Sequence, residues 1–339
     1  MRVVQWAQEH GEVGGVRRSV HDLTDGLRAA GVEVSYLDTG SLSRAVRGIP
    51  ALRGRHTLHL FHITRLWRAI VLAPVFAVLP GSPVLVLHSG SSLRQVEMQR
   101  PWQARLLRRS LTAYVRIWAV NDEIGSVLPS RVATRVRVMS PFVPTGPTAH
   151  ASGGAASGGA ASDDPGVPVP ETHLVSVATN AGLKHYNADL AVDSIRLVRA
   201  EWPDARLCIL GYGADGPHMA ALRARVAAEP WVEVSFDLTP GQVTQVLARS
   251  EVFLRPTDWD GDSLIVREAL AVGARVVASD VCPRPAGVEL ALLDAASVAQ
   301  VVLRGGPVSS GEGLAGRSIL DYALEAVERL RTGEDGDED

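Results

Sequence analysis

Short apolar runs alternate with amphipathic stretches of helical spacing along most of this chain. Apolar runs of this length are typical of buried strands, and strands that alternate with helices predict parallel sheets with right-handed crossovers. The predicted strands are residues 2–7, 32–37, 57–61, 84–88, 117–120 and 135–139, then 173–177, 206–210, 232–236, 252–255 and 275–278. The predicted helices are residues 16–30, 101–115, 188–201, 217–228, 241–249, 263–272 and 319–331. The pattern indicates an α/β protein with two doubly wound sheets.

A low-complexity segment of Gly, Ala and Ser that ends in Pro separates the two halves at residues 149–170, and such a composition is typical of a flexible linker. The chain of 339 residues also exceeds the usual size of one domain. We therefore expect a Rossmann-like domain at residues 1–145, a linker at 146–170 and a second Rossmann-like domain at 171–331. An acidic disordered tail follows at residues 332–339. Two such domains would face each other across a cleft, with ligands at the carboxyl ends of the strands.

The longest uncharged run, residues 69–87, has the length of a membrane span. Three prolines and Gly81 interrupt it, so we expect a buried helix followed by a buried strand instead. No apolar signal segment precedes the first strand, and the two cysteines have neither disulfide nor metal-ligand spacing. These features predict a cytoplasmic protein and point to no metal or cofactor.

Charge is distributed unevenly along the chain. Residues 1–145 hold 19 Arg against 9 Asp plus Glu, which is +10, whereas the rest of the chain balances at −13 for a total of −3. A basic first domain favours an anionic lipid surface or an anionic acceptor as partner, and the helix at 101–115 with Arg105, Arg108, Arg109 and nearby Arg116 is the best candidate for docking. An ordinary solvated helix face is the alternative. Nucleic acid is disfavoured because no aromatic residues are interleaved with the basic ones.

Glycines at 11, 14 and 15 follow the first strand and precede a helix. Glycine lets the backbone approach a ligand, and the helix N-terminus directs its amides to that point. The spacing is not the GxGxxG of dinucleotide enzymes, so a nicotinamide cofactor is disfavoured. A plain tight turn is the alternative. A second glycine pair, Gly211 and Gly213, follows another predicted strand and allows a turn close to a base or sugar.

Lys184 is the only lysine in the chain, and every other basic side chain apart from histidine is arginine. A compact ammonium group after a strand suits a phosphate as a point charge, a role that a guanidinium fills differently. A surface lysine without a function is the alternative.

Residues 254–280 combine a strand, a polar turn, a helix and a further strand, and they carry two carboxylates, Asp260 and Glu268. Asp262 or Ser263 can cap the helix that begins near Leu264. Helical spacing aligns Glu268 with Leu264 and Val272, so we expect this carboxylate on a core-facing side, where a bound hydroxyl pair or a nearby Arg255 or Arg267 would satisfy it. The alternating aspartates lack the glycine and the last glutamate of a calcium loop, which disfavours calcium.

His88 ends an apolar strand and precedes a small polar loop, so it would face the cleft. A buried structural histidine is the alternative, and we interpret His59 and His62 in the neighbouring strand as structural.

Taken in order, these motifs resemble the GT-B glycosyltransferases of the family 4 (group 1) type, from the GGVRRSVHDL stretch to Asp280. The resemblance implies a retaining transfer of sugar from a nucleotide diphosphate donor to a hydroxyl acceptor in polysaccharide or glycolipid biosynthesis, without a metal. It assigns Glu268 to the ribose hydroxyls, and Asp260 with the amides of Gly261, Asp262, Ser263 and Leu264 to the sugar and diphosphate. Lys184, beside Gly14 and Gly15, would contact the diphosphate, and His88 would lie near the reacting sugar.

Two positions differ from that family. Asp260 stands where the family has glutamate, and Ala178 and Thr179 occupy the positions of an arginine that precedes the lysine. Arg255, at the end of a neighbouring strand, could provide the missing guanidinium. The differences keep open the alternative of a catalytically silent partner protein. A nucleotide-sugar epimerase or phosphorylase of the same architecture, which acts without an acceptor, is a second alternative. We expect the protein on the inner face of the plasma membrane if it is peripheral.

Overall fold

The computed structural model describes residues 1–7, 15–39, 56–76, 79–88, 92–126, 128–144, 170–213, 216–306 and 317–333. Contacts divide the chain into two units. The first comprises Met1–Phe142 and Asp260–Asp262 with the C-terminal segment, and the second comprises Val143–Trp259 and Ser263–Ala315. Most of the predicted linker and most of the predicted tail lie outside the described residues.

The first unit is built on a six-stranded parallel sheet in the order β2-β1-β3-β4-β5-β6. Its central strands are rich in apolar residues and are buried on both faces, as expected for a parallel sheet that helices cover. The strands are β1 (Arg2–Ala7), β2 (Glu33–Asp38), β3 (Thr57–Ile63), β4 (Ser82–Leu87), β5 (Arg116–Ala119) and β6 (Val136–Val138). The helices are α1 (Gly15–Ala29), α2 (Trp67–Phe76), α3 (Ser92–Glu97), α4 (Pro101–Leu111) and α5 (Asp122–Ser126), and a 3₁₀ turn covers Ser130–Arg135.

The second unit repeats this plan, with a parallel sheet in the order β12-β11-β10-β7-β8-β9. Its strands are β7 (Glu171–Asn180), β8 (Arg206–Tyr212), β9 (Val232–Phe236), β10 (Ser250–Arg255), β11 (Arg275–Ser279) and β12 (Val288–Ala291). Its helices are α6 (Ala188–Val198), α7 (Pro217–Val226), α8 (Pro240–Arg249), α9 (Leu264–Ala271) and α10 (Ala295–Leu303), and a 3₁₀ turn covers Lys184–Tyr186. One apolar core lies on each face of this sheet.

The final helix, α11 (Ile319–Thr332), packs in the core of the first unit, although the sequence analysis places it in the second domain. It contacts α1, and a bridge between Ser140 and Ser318 holds its start beside the end of β6. The physical reason is its apolar stripe, which includes Ile319, Ala323 and Leu330 and is buried there.

The uncharged run at residues 69–87 contributes most of α2 and β4, as a helix and a buried strand. Among the described helices, none has both the length and the apolar composition needed to cross a bilayer.

Candidate functional site

The strand order places a topological switch point between β7 and β10 in the second unit, because the chain runs outward from β7 through β8 and β9 and then returns to β10 on the other side. In open parallel sheets, ligands bind beside the carboxyl ends of the strands at such a point. The two loops that leave these strands, residues 181–187 and 256–263, carry Lys184 and Asp260. The sequence predicts both loops, and the strand order shows that they are neighbours.

Direct contacts join the two loops. The Asn187 side-chain amide donates to an Asp258 carboxylate oxygen at 2.6 Å, and the Asp258 backbone N–H donates to the His185 carbonyl at 3.0 Å. The rings of His185 and Trp259 are stacked, with their centroids 4.0 Å apart and their planes 15° from parallel. The loops therefore form one braced surface at the switch point.

Arg255 ends β10 and is 7% exposed. Its guanidinium carbon lies 4.7 Å from the centroid of the Tyr186 ring, and the Tyr212 hydroxyl donates to the Tyr186 hydroxyl at 2.7 Å. A guanidinium over an aromatic ring is attracted to the negative face of that ring. Because Leu254 pairs with Val177, Arg255 stands one residue further along, beside Ala178. Arg255 therefore lies beside Ala178, one of the two positions at which the sequence analysis expects an arginine and finds none.

Lys184 is exposed at the start of the 3₁₀ turn. Its carbonyl accepts the N–H of Asn187, whose left-handed backbone, with φ 51° and ψ 42°, leads into α6. Its two following residues, His185 and Tyr186, are the ones that make the ring contacts described above. The lysine backbone is therefore anchored while its ammonium group stays accessible.

The turn before α9 holds the other predicted donor-binding groups. Asp260 accepts the N–H of the following Gly261 at 3.0 Å and is partly exposed. Ser263 is the N-cap residue of α9 and is buried, and its carbonyl accepts from Val266 at 3.1 Å and from Arg267 at 3.3 Å. The first amides of an α-helix have no acceptor within the helix, so the Ser263 and Leu264 amides are the groups of this turn that could donate to an anion. Gly261 is buried and Asp262 is partly exposed in the same turn.

Glu268 does not lie on the core-facing side of α9, contrary to the sequence prediction. The buried face of this helix contains Val266, Ala269 and Leu270, and the buried charged residue is Arg267, at 7% exposure. Glu268 is partly exposed. Of the two apolar residues aligned with Glu268, Leu264 is buried and Val272 is only partly so, and the spacing alone did not show that the stripe leaves the buried face at Glu268.

Three residues that the sequence analysis did not single out brace the turn after β10. Thr257 is fully buried, and its carbonyl accepts from the Ser279 hydroxyl at 2.7 Å. The Arg284 guanidinium donates to the Ser279 carbonyl at 3.2 Å and to the Thr257 hydroxyl at 3.4 Å. The loop after β11 therefore fixes the turn that leads to Asp260. In the sequence, only the position of these residues at or after the end of a strand could have indicated that they support the turn.

Gly211 has a packing role in the structure. A Cβ at this position would lie 2.4 Å from Cδ2 of Phe236, so the aromatic ring on β9 occupies the space that a side chain would need. The glycine is buried inside β8. The fold thus accounts for this glycine without a base or sugar beside it.

We expect Gly211→Ala to lower the free energy of unfolding by about 1–3 kcal/mol, the usual cost of overpacking a core. Urea denaturation of the variant and of Gly211→Ala combined with Phe236→Leu measures this effect. Recovery of part of the loss in the double variant supports the ring contact, whereas an unchanged free energy of unfolding in the single variant contradicts it.

In the first unit, Gly14 lies outside the described residues. Gly15 is the first residue of α1 and is exposed, and a Cβ there would meet no heavy atom within 4 Å. Nothing in the described structure therefore requires glycine at position 15 for packing.

His88 directly follows β4 and forms a pair with His62 of β3, which we had interpreted as structural. His62 Nδ1 and His88 Nε2 are 2.8 Å apart, and His62 Nε2 is 2.5 Å from the Gln5 side-chain oxygen. Because the Gln5 oxygen is an acceptor, His62 donates to it from Nε2, and the Nδ1 of His62 is then an acceptor. His88 therefore donates from Nε2 to His62 Nδ1, which leaves a lone pair on Nδ1 of His88. Burial lowers the pKa of His88 to about 4 and holds the pKa of His62 well below its usual value, so both rings are neutral at physiological pH.

One family model matches part of the second half of the chain. Residues 172–304 match the family model of the glycosyl transferases group 1. No curated protein matches the sequence.

Three solved structures are similar in fold. The pneumococcal O-GlcNAc transferase GtfA, in complex with UDP and GlcNAc, has 12% identity and a TM-score of 0.61, and the match covers 85% of this chain and 60% of that one. Sucrose-phosphate synthase from Thermosynechococcus elongatus has 13% identity and a TM-score of 0.62, with 98% of each chain covered. HepE from Anabaena, in complex with UDP-glucose, has 11% identity and a TM-score of 0.63, with 98% of this chain and 99% of that one covered. At this identity the likeness shows the fold, which is GT-B.

Proposed function

We propose that this GT-B glycosyltransferase, whose residues 172–304 are of the group 1 type, transfers a sugar from a nucleotide diphosphate donor to a hydroxyl acceptor with retention and without a metal. The observation that supports the proposal is the braced pair of loops at the β7/β10 switch point. One loop carries Lys184, and the other leads from Arg255 to the N-terminus of α9. Cationic groups and helix amides at one place suit a diphosphate.

In the proposed reaction, negative charge develops on the departing diphosphate. Lys184, Arg255 and the first amides of α9 stabilise that charge, as preorganised donors do in a transition state. Asp260 and the amides of Gly261, Asp262, Ser263 and Leu264 hold the sugar and the diphosphate. Lys184, Arg255 and the first amides of α9 supply the positive charge that a divalent cation would otherwise provide.

The position of Arg255 supports its role as the substitute for the arginine missing from β7. It stands on the adjacent strand beside Ala178, and Tyr186 holds its guanidinium next to the Lys184 loop. A charge from either strand can reach the same end of the sheet. The change of strand would preserve the chemistry while it alters the sequence motif.

In the first unit, we assign His88 to the reacting sugar and Gly14 and Gly15 to the diphosphate. The lone pair on Nδ1 of His88 can accept a hydrogen bond from a sugar hydroxyl. The departing phosphate oxygen takes the acceptor proton as the new glycosidic bond forms on the same face, so the reaction needs no covalent nucleophile on the protein.

Glu268 is proposed to accept hydrogen bonds from the two ribose hydroxyls, and its partial exposure on the side of α9 away from the core supports this role. We expect Glu268→Gln to weaken nucleotide binding by roughly tenfold, since hydrogen bonds to a charged acceptor contribute about 1.5–3 kcal/mol and a neutral amide keeps part of that. Calorimetry with UDP, GDP and ADP measures the change. Glu251→Gln, remote from α9 on β10, is the matched control.

The same titrations test the alternative of a catalytically silent partner protein, which the shorter Asp260 keeps open. Absence of binding to all three nucleotides in the parent chain would favour that alternative and contradict the proposal. Binding without acceptor-dependent sugar transfer would favour an epimerase or a phosphorylase. UDP is the first nucleotide to test because two of the similar structures hold UDP or a UDP-sugar.

The acceptor is proposed to be a carbohydrate or a lipid-linked hydroxyl in polysaccharide or glycolipid biosynthesis. Peripheral association with the cytoplasmic face of a membrane is part of this proposal, and its support is the positive charge of the first 145 residues.

A further inference from the structure

Two neighbouring helices of the first unit expose large apolar side chains. On α2, Trp67 and Val71 are each 53% exposed and one turn apart, while Ala69, Ala73 and Phe76 on the opposite side are buried. On α4, Trp102 is 58% and Leu106 41% exposed, again one turn apart. Met98, just before α4, is 83% exposed. We call Trp67, Val71, Met98, Trp102 and Leu106 the tryptophan face.

The two helices form one surface. They pack against each other, and the Tyr114 hydroxyl, just beyond α4, donates to the Ala69 carbonyl of α2 at 3.0 Å. Leu107 and Leu111 anchor α4 in the core of the unit. The fold therefore holds the exposed apolar residues on a rigid support, and their exposure does not come from a poorly packed segment.

The distribution of tryptophan makes this face exceptional in the chain. Of the seven tryptophans, Trp6 and Trp118 are buried, Trp231 is 9% exposed, and Trp202 and Trp259 are partly covered. The two exposed ones are Trp67 and Trp102, and both lie on the tryptophan face. A tryptophan gains most at a surface where its ring is dehydrated and its N–H meets polar groups, as at the boundary of a bilayer.

The charge of the segment that contains this face is almost entirely positive. Residues 64–116 contain eight arginines and one acidic residue, Glu97. Arg105 and Arg109 are exposed on α4, and the Arg68 guanidinium carbon lies 5.9 Å from the centroid of the Trp67 ring. A second copy of the chain that docked through the same face would bring equal positive charge against it, whereas an anionic bilayer is complementary.

We propose that the tryptophan face inserts into the interfacial region of an anionic membrane, with Arg68, Arg105 and Arg109 on the lipid phosphates. The apolar side chains supply the burial that a purely electrostatic contact lacks, and the arginines select the anionic surface. This inference deepens the proposed lipid-linked acceptor, since it would place the enzyme where such an acceptor is found.

Flotation with vesicles tests the inference without any nucleotide sugar, so it can fail or succeed apart from donor binding. The parent chain should bind vesicles of equal parts phosphatidylcholine and phosphatidylglycerol and should float poorly with phosphatidylcholine alone. Trp67→Ser with Trp102→Ser should reduce the partition coefficient by about tenfold or more, because two rings no longer enter the interface. Arg105→Gln with Arg109→Gln should reduce it by about fivefold for each charge.

Matched controls change the same chemistry elsewhere. Leu197→Ser with Leu292→Ser removes exposed apolar groups from the second unit, and Arg131→Gln with Arg304→Gln removes exposed charges. Both controls should float like the parent, and all variants should keep the nucleotide affinity of the parent. Equal flotation of the parent and the double tryptophan variant, or no preference for anionic vesicles, would overturn the inference. So would concentration-dependent dimerisation that the tryptophan substitutions abolish, since a second copy would then cover this face.

Discussion

Replacing Lys184 by alanine is expected to lower kcat by about 10²-fold or more, on the scale of losing one charge contact in a transition state. The ammonium group belongs to an exposed lysine, and the three residues that follow it, His185, Tyr186 and Asn187, are held by contacts with the loop after β10 and with Arg255. Because negative charge grows on the departing diphosphate in the transition state, loss of the Lys184 ammonium group should lower kcat more than it lowers the affinity for nucleotide. Initial rates at saturating donor, together with calorimetry for the nucleoside diphosphate, separate the two effects.

Lys184→Arg keeps the charge but changes its geometry, so it should recover only part of the rate. Leu183→Ala is the matched control, because Leu183 is an exposed neighbour in the same loop and carries no charge. Its turnover should remain close to that of the parent. Near-normal turnover of Lys184→Ala would exclude the proposed role of the lysine.

The strands and helices predicted from the sequence agree closely with the observed ones where the apolar runs are long. The strands at 2–7 and 232–236 coincide with β1 and β9, and the helix predicted from residue 188 begins there as α6. The short strand β12 and the helix α10 were missed. β12 has only four residues, of which three are not buried, so it lacks the continuous apolar run that identified the other strands.

The assignment of α11 shows what order along the chain cannot provide. Its apolar stripe predicts a packed helix, but the stripe does not say which core will take it. In the structure, Ile319, Ala326 and Leu330 complete the core of the first unit, whose strands lie more than 170 residues earlier in the chain. The packing of α11 in the first unit depends on the fit between distant surfaces, and the periodicity of apolar residues within the helix does not show it.

The candidate site was predictable as a set of residues but not as a set of contacts. Lys184 and Asp260 drew attention by composition and position, yet only the strand order shows that their loops are neighbours. Trp259 and His185, which stack across those loops, gave no signal of their own. His62 had the pattern of a structural histidine, and its link to His88 depends on the pairing of β3 with β4.

His59 is buried in the first unit as a neutral ring with both nitrogens engaged. The Trp6 indole N–H donates to Nδ1 at 3.1 Å, so Nε2 carries the proton and faces the Pro80 carbonyl at 3.3 Å. Protonation of His59 at Nδ1 would bring its new N–H into repulsive contact with the Trp6 indole N–H. Burial is the main reason that the pKa of His59 falls from 6.5 to about 4. The hydrogen bond to Pro80 raises the pKa, and the positive charge of Arg2 lowers it.

The first unit should therefore lose stability as the pH falls below about 6.5. Above that value neither state of His59 is protonated, and the stability is fully present. Between 6.5 and about 4 the unfolded chain binds a proton that the folded ring refuses, and the loss reaches roughly 3 kcal/mol from His59 alone. Because His62 is also buried as a neutral ring, it contributes in the same direction.

Hydrogen exchange of peptides from β1 and β3, corrected for the intrinsic rate at each pH, measures this loss between pH 7.5 and 5. His59→Asn can still accept from Trp6 but cannot take up a proton, so the variant should be less stable at pH 7.5 and should lose roughly 2 kcal/mol less than the parent on going to pH 5. His56→Asn, at an exposed position three residues before, is the matched control and should behave like the parent. If His59→Asn keeps the full pH dependence of the parent, protonation of His59 does not govern the acid stability of this unit, and the burial of His62 becomes the physical cause to test next.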